Sequence, residues 1–162
     1  MIDPEDIKNR AGDNRKTNLE MVRKLKRKKP SDLDVTVRGF HDEAFSHIDC
    51  LDCANCCKTI SPMLNDSDIQ RMASALRMRP ADFTGMYLMT DEDGDYVFRE
   101  TPCPFLMPDN YCMIYDNRPK ACREYPHTDR KRFYQLLDLT LKNTEVCPAV
   151  FEIVEMLREH YK

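Results

Sequence analysis

Apolar side chains recur at intervals of three and four residues through much of this chain, and that spacing predicts helices. Near the N-terminus, Leu19, Met21, Val22 and Leu25 predict a helix that ends near Pro30. The pattern predicts further helices over these stretches: Asn65 or Asp66 to Met78, Ala81 to Leu88 after Pro80, Asp129 onward, and Pro148 onward. The fold is therefore expected to be mainly helical.

The apolar faces of these helices predict where the core lies. We expect the following side chains to be buried: Ile69, Met72, Ala73, Leu76, Phe83, Met86, Tyr87, Leu88, Phe133, Leu136, Leu137, Leu141, Val150, Ile153, Val154 and Leu157. Methionine and aromatic residues at helical spacing are typical of a core rather than of a cofactor site.

Turn residues interrupt the helical pattern twice. The acidic residues 91–95, which include Gly94, predict a turn, and Tyr96, Val97 and Phe98 predict a strand that leaves it. A second tight turn is expected at Asp109 and Asn110. The expected fold class is mainly α with a small β-hairpin, in a compact, loop-rich domain organised around a cysteine–metal cluster.

Charge is unevenly distributed along the 162 residues, whose net charge is −3. Residues 1–40 hold 11 basic and seven acidic side chains, which makes this part positive and the remainder negative. We therefore predict a charged helical leader over residues 1–40 and a cysteine-cluster domain over residues 41–162. Because no aromatic residue interleaves the basic run at 23–29, a solvated helix end is a better interpretation of it than a nucleic-acid site.

Four of the eight cysteines lie in one short run, at Cys50, Cys53, Cys56 and Cys57. A two-residue gap between cysteines lets a turn direct both sulfurs at one point, as soft metals require. The remaining cysteines are isolated from one another: Cys103, Cys112, Cys122 and Cys147. We predict that all eight are candidate metal ligands and that the fold brings the distant cysteines to the run.

The number and identity of the metals stay open at this point. Adjacent Cys56 and Cys57 point in different directions, so they serve separate sites, bridge one polynuclear centre, or leave one thiol outside the first shell. A single cluster held by a subset of the cysteines is preferred over two metals. The series of two-residue gaps, with Cys103-Pro104 and Cys147-Pro148 further on, favours an iron–sulfur cluster over zinc. Disulfides are disfavoured because cysteine density is low for a disulfide scaffold.

Charged side chains next to these cysteines are candidates for supporting a cofactor. Lys58, Arg118 and Arg123 could offset the negative charge of metal-bound thiolates. Alternatively, the two arginines could pair with Asp116 or Glu124 or cap loop carbonyls. His47 and His127 are secondary ligand candidates. The sequence contains no Ser-His-Asp set, phosphate loop or dinucleotide fingerprint, and it identifies no catalytic residue.

The combined motifs resemble the YkgJ-like cysteine-cluster family, a zinc- or iron-chelating domain. The resemblance rests on the cysteine run at 50–57, Cys-Pro-Phe-Leu at 103–106, Cys-x-Ile-Tyr at 112–115 and Arg-Pro-x-x-Cys-Arg-x-Tyr-Pro at 118–126. Many members carry glycine where Ala54 or Asn55 stands here, and the charged leader lies outside the pattern. The resemblance implies metal binding and leaves the activity open.

These observations predict a metal-binding protein that holds an iron–sulfur cluster or zinc in a redox, metal-handling or accessory role. Two alternatives remain: a subunit or domain of a protein-modifying, methylase-like enzyme, suggested by a related domain in flagellin lysine methylases, and a zinc-stapled protein-interaction module. Another protein is the expected partner, whereas a membrane or nucleic acid is not. Without a secretory signal pattern at the N-terminus, the cytoplasm is the expected location.

Overall fold

The computed structural model describes residues 3–162, and within them helices predominate as the sequence predicts. The chain forms two compact units, which we describe separately. Unit 1 comprises the residues up to Cys53 and those from Pro126 on. Its helices are α1 (Pro4–Asp13), α2 (Arg15–Lys28), α3 (Leu33–Phe45), α4 (Cys50–Cys53), α9 (Leu137–Asn143) and α10 (Pro148–His160).

Unit 2 comprises residues 54–125. Its elements are α5 (Asn55–Thr59), β1 (Met63–Leu64), α6 (Asp66–Ala75), α7 (Pro80–Tyr87), β2 (Leu88–Thr90), β3 (Tyr96–Phe98) and α8 (Lys120–Glu124). No helix in the described part of the chain combines the length and the apolar character needed to cross a bilayer.

The core of unit 1 forms around α10, which packs along α3 and contacts α1, α2 and α9. Pro148 occupies the first turn of α10, as predicted, because proline lacks the amide hydrogen that a first turn cannot use. The predicted core residues Val150, Ile153, Val154 and Leu157 are all fully buried on this helix. The predicted apolar face of α10 is thus confirmed.

Basic side chains near the C-terminal end of α2 contact other residues of unit 1. Lys24 Nζ donates to the backbone carbonyl of Tyr161 at 2.6 Å, and Lys26 forms an ion pair with Asp138. Lys29 ends the helix in the left-handed conformation. The helical leader therefore contributes core contacts as well as charge. The predicted domain boundary near residue 40 stays a prediction.

The helix predicted from Asp129 onward begins later than expected. Arg132 adopts the left-handed conformation, and Asp34 of α3 accepts the amide hydrogens of Arg132 and Phe133 at 2.8 and 2.9 Å. A short 3₁₀ turn (Phe133–Gln135) follows, and α9 starts only at Leu137. A carboxylate distant in sequence thus holds this stretch out of the α-helical pattern.

Unit 2 contains a three-stranded antiparallel sheet in which β3 lies between β1 and β2. The strands β2 and β3 form the predicted hairpin around the acidic turn, whereas β1, two residues long, was not predicted. The aromatic rings of Phe83, Phe98 and Phe105 pack together beneath the sheet, with Phe105 contacting both others. These buried rings form the centre of the core of unit 2.

Two helices of unit 2 start where the sequence predicts. Asn65 caps α6 in a reciprocal capping box with Asp68, and Pro80 occupies the first turn of α7. The helix α6 ends at Ala75 rather than Met78, because Arg77 adopts the left-handed conformation. The predicted burial of Met86 is wrong: this side chain is 59% exposed.

Met86 is exposed because other side chains of the short helix α7 occupy its core-facing side. Phe83 and Tyr87, one helical turn apart, face Phe105 with ring centroids at 6.3 and 5.0 Å. These rings fill the space against the core, so the remaining side of the helix, including Met86, faces solvent.

Candidate metal centre

The cysteine run is divided by a change of backbone conformation. The four-residue helix α4 carries Cys50 and Cys53, and α5 carries Cys56 and Cys57. Between them Ala54 adopts the left-handed conformation with φ of 47°. This conformation favours glycine, which accounts for the glycine expected near this position in the family that the sequence resembles. The first segment of unit 1 ends at Cys53 and unit 2 begins at Ala54, so each unit holds two cysteines of the run.

Within unit 2, three distant cysteines come to Cys57. The backbone amide of Cys103 donates to the carbonyl of Cys57 at 2.8 Å. Cys112 follows the predicted turn at residues 109–110 and forms a β-bridge with Leu106, which lies three residues after Cys103. Cys122 lies on α8, the helical turn predicted after Pro119. We call Cys57, Cys103, Cys112 and Cys122 the four-thiol group.

Burial and the proximity of other cysteines keep most of these thiols protonated. Burial, with a smaller effect from the charges of Cys57 and Cys112, raises the pKa of Cys103 to about 11. Burial also raises the pKa of Cys122 to about 12, together with the charges of Cys57, Cys103 and Cys112. The pKa of Cys112 is raised for the same reasons. These three thiols therefore carry protons at neutral pH.

Cys57 differs from the other three. A hydrogen bond with Cys56, whose Sγ lies 4.0 Å from Sγ of Cys57, is the largest cause that lowers the pKa of Cys57. Together with the positive charges of Arg118 and Lys58, it brings this pKa to about 7 against the effect of burial. The group thus holds one thiol that is readily ionised and three that are not.

Of the three charged residues predicted to support the site, Lys58 and Arg118 act on Cys57, whereas Arg123 does not. The guanidinium of Arg118 stacks on the ring of Tyr115 at 3.5 Å. Arg123 donates from Nη1 to the backbone carbonyl of Arg118 at 2.7 Å, as in the loop-capping alternative. Arg123 therefore braces the backbone next to Arg118.

Replacing Arg118 with methionine should raise the pKa of Cys57 from about 7 toward the ordinary value of 9.0. The rise should be partial, because the hydrogen bond with Cys56 is the largest cause of the lowered pKa. The pH dependence of Cys57 alkylation in metal-free protein, resolved by peptide mass spectrometry, measures it. Arg123→Met is the matched control and should shift the pKa less; an unchanged pKa in Arg118→Met would contradict the role of Arg118.

Unit 1 contains a second group of thiols, Cys50, Cys53 and Cys147, which we call the three-thiol group. Cys147 occupies the N-cap position of α10, where its side chain makes no capping hydrogen bond. Burial, with a smaller effect from the charges of Cys50 and Cys53, raises the pKa of Cys147 to about 11, although the nearby backbone amides of Val150 and Ala149 act in the opposite direction. Cys50 is exposed, whereas Cys53 and Cys147 are half-buried.

The structure describes the surroundings of the histidines proposed as secondary ligands. His47 Nε2 lies 2.9 Å from Oε2 of Glu152, with which it forms a hydrogen bond. His127 adopts a left-handed backbone conformation. A third histidine, His41, is half-buried, and its Nδ1 lies 2.7 Å from the hydroxyl of Thr128.

The candidate ligands are thiols, which are the donors that a thiophilic metal prefers. None of the eight cysteines forms a disulfide, and the four-thiol group has cations beside it that would offset thiolate charge. Across residues 3–162, no three His, Cys, Asp or Glu side chains are placed closely enough to form a ready-made metal site.

Sequence reasoning missed two residues that contact the backbone just before Cys122. Asp68 accepts the backbone amide of Lys120 at 2.9 Å, and Arg71 donates to the backbone carbonyl of Arg118 at 2.7 Å. The signal for Asp68 is the spacing Asn65-x-x-Asp68, typical of a capping box. Nothing in the sequence indicates its second partner, Lys120.

Comparison with known families supports this interpretation of the cysteines. A family model, CxxCxxCC, matches residues 49–148, which include all eight cysteines and more than half of the chain. No curated protein and no solved structure matches the chain. The resemblance inferred from the cysteine motifs is confirmed. The chain therefore belongs to the CxxCxxCC family, whose description is "putative zinc- or iron-chelating domain".

Proposed function

We propose that the four-thiol group holds an iron–sulfur cluster, or alternatively zinc, and that the protein has a redox, metal-handling or accessory role. Cys57, Cys103, Cys112 and Cys122 are the proposed ligands, with Arg118 and Lys58 offsetting their charge. The three-thiol group is the proposed second set of ligands. When bound, the metal would supply the positive charge that four neighbouring thiolates need.

The observation that carries this proposal is the placement of four half-buried thiols close enough to influence one another's ionisation. The pKa of Cys122 is raised by burial and by the charges of three other cysteines. A protein that needed these residues only for packing would gain nothing from placing their thiols within each other's electrostatic reach. A metal ion turns the arrangement into a favourable one, because it binds the deprotonated form of all four.

The four thiols differ in acidity. Cys57, with a pKa of about 7, is partly ionised at neutral pH and would offer a metal a thiolate ligand there. Cys103, Cys112 and Cys122 would hold the metal as thiolates only after losing their protons to solvent. The positive charges of Arg118 and Lys58, which already lower the pKa of Cys57, would limit the negative charge of the complete set of ligands.

Two features support iron–sulfur over zinc. Cys103 of the four-thiol group is followed by Pro104, and such a Cys-Pro pair is partly similar to cubane cluster ligation. The four-thiol group draws three of its members from isolated positions, whereas structural zinc commonly uses two short-gap pairs. The proposed location is the cytoplasm, where thiols stay reduced, and the proposed partner is another protein.

Anaerobic purification followed by analysis of iron, zinc and acid-labile sulfide tests the proposal. We expect brown protein with iron and sulfide in nearly equal amounts. Colourless protein with zinc and no sulfide would replace the cluster by zinc and favour a structural role. Protein without either metal after reconstitution under reducing conditions would overturn the proposal.

A further inference from the structure

One carboxylate caps two helices in unit 2. Oδ2 of Asp68 accepts the amide hydrogen of Asn65 at 3.2 Å and so completes the capping box at the start of α6. Oδ1 of Asp68 accepts the amide hydrogen of Lys120, the first residue of α8, at 2.9 Å. Pro119, at the N-cap position of α8, provides no side-chain hydrogen bond. A side chain of α6 therefore caps the start of α8.

Arg71 holds the same segment at a second point. Its Nη2 donates to Oδ1 of Asp68 and to the backbone carbonyl of Arg118, at 2.7 Å in each case. One ion pair thus contacts the backbone at Arg118 and again at Lys120. These two contacts bracket Pro119 and orient the segment that leads directly to Cys122.

The burial of this pair separates it from ordinary surface ion pairs. The side chain of Asp68 is only 2% exposed and that of Arg71 is 29% exposed. Burial alone would raise the pKa of Asp68, but hydrogen bonds from Arg71, Asn65 and Lys120 together lower it. A carboxylate kept charged out of water needs its partners in place, so the contacts with the segment are strongly maintained.

A helix as short as α8 also needs such help. It has five residues, far fewer than a helix needs to be stable alone. Without the two contacts, Arg118 and Cys122 would share one flexible loop. The electrostatic effect of Arg118 on Cys57 and the approach of Cys122 to the other thiols both depend on this segment's position.

We propose that Asp68 and Arg71 are positioning residues for the four-thiol group: their ion pair fixes residues 118–122 so that Arg118 and Cys122 face Cys57. This inference rests on the proposed function, because it assigns the pair a role in metal binding. The pair touches no thiol itself and acts through the backbone that it holds.

The test compares cobalt(II) binding by wild-type protein, Arg71→Met and Arg79→Met. Arg79 is the matched control, since it pairs with Asp82 three residues away in the same unit but is 84% exposed. We expect Arg71→Met to keep the wild-type metal stoichiometry, to bind about 10- to 100-fold more weakly and to show an altered cobalt–thiolate spectrum. Arg79→Met should bind as wild type, and Arg71→Lys should restore part of the affinity.

Unchanged affinity and spectrum in Arg71→Met would overturn the positioning role, even if that variant melted at a lower temperature. A wild-type protein that bound neither cobalt, zinc nor iron would instead overturn the proposed function. In that case hydrogen exchange in the metal-free protein still decides the backbone contact: the amide of Lys120 should exchange faster in Arg71→Met than in Arg79→Met. Equal exchange rates would overturn the contact as well.

Discussion

Cys122→Ser and Cys57→Ser will each abolish metal binding by the four-thiol group, and the double variant will lose no more than either one. We expect the affinity to fall more than about 100-fold, since the loss of an outer partner alone costs 10- to 100-fold. The reason is that the two thiols belong to one group, in which the charge of Cys57 acts on Cys122. Metal content and affinity of the purified variants, measured by elemental analysis and chelator competition, check this result.

Cys53→Ser serves as the contrasting variant. Its thiol lies in unit 1 and acts on Cys147, so it should remove metal from the three-thiol group and leave the four-thiol group loaded. Combined with Cys122→Ser, its effect should add to the other. If Cys53→Ser alone emptied all sites, or if the combination with Cys122→Ser were not additive, two separate groups of ligands would be the wrong description.

Metal affinity will also depend steeply on pH. At pH 7, Cys103, Cys112 and Cys122 carry protons because their pKa values are raised, and Cys57, with a pKa of about 7, is about half protonated. Binding a metal through four thiolates should therefore release about three to four protons. Because protons compete with the metal, lowering the pH from 7 to 6 should weaken binding by about three to four powers of ten.

Two measurements check the proton release independently. Chelator competition with zinc at pH 6, 7 and 8 gives the slope of affinity against pH. Calorimetric titration in buffers of different ionisation enthalpy counts the protons directly. A release of fewer than about two protons at pH 7 would mean that fewer than four thiols bind the metal or that they are already ionised.

Local signals predicted the helix starts well. Asn65 before an apolar run and proline at positions 80 and 148 mark helix starts through their own hydrogen-bonding and steric properties, and the structure confirms all three. The hairpin between β2 and β3 was likewise evident from its acidic turn. These features depend on residues that are neighbours in the chain, so they can be recognised without the fold.

Contacts between distant residues were not predictable in this way. The late start of α9 depends on Asp34 accepting the amides of Arg132 and Phe133, about a hundred positions away. Met86 is exposed because rings of other residues on α7 pack against Phe105 in the core. Helical spacing shows which residues share a face, but the direction of that face is set by packing partners elsewhere in the chain.

The cysteines illustrate the same division. The family, and with it a zinc- or iron-chelating domain, could be identified from the number of cysteines, their short gaps and the surrounding motifs. This was possible because metal binding by thiols depends on residue types and their spacing. The grouping of the thiols could not be predicted from the sequence. It depends on the left-handed conformation of Ala54, at the boundary between the two compact units, and on the loops that bring Cys103, Cys112 and Cys122 to Cys57. Such an arrangement arises only from the packing of the folded chain, because sulfur atoms far apart in sequence meet only once the cores around them have formed.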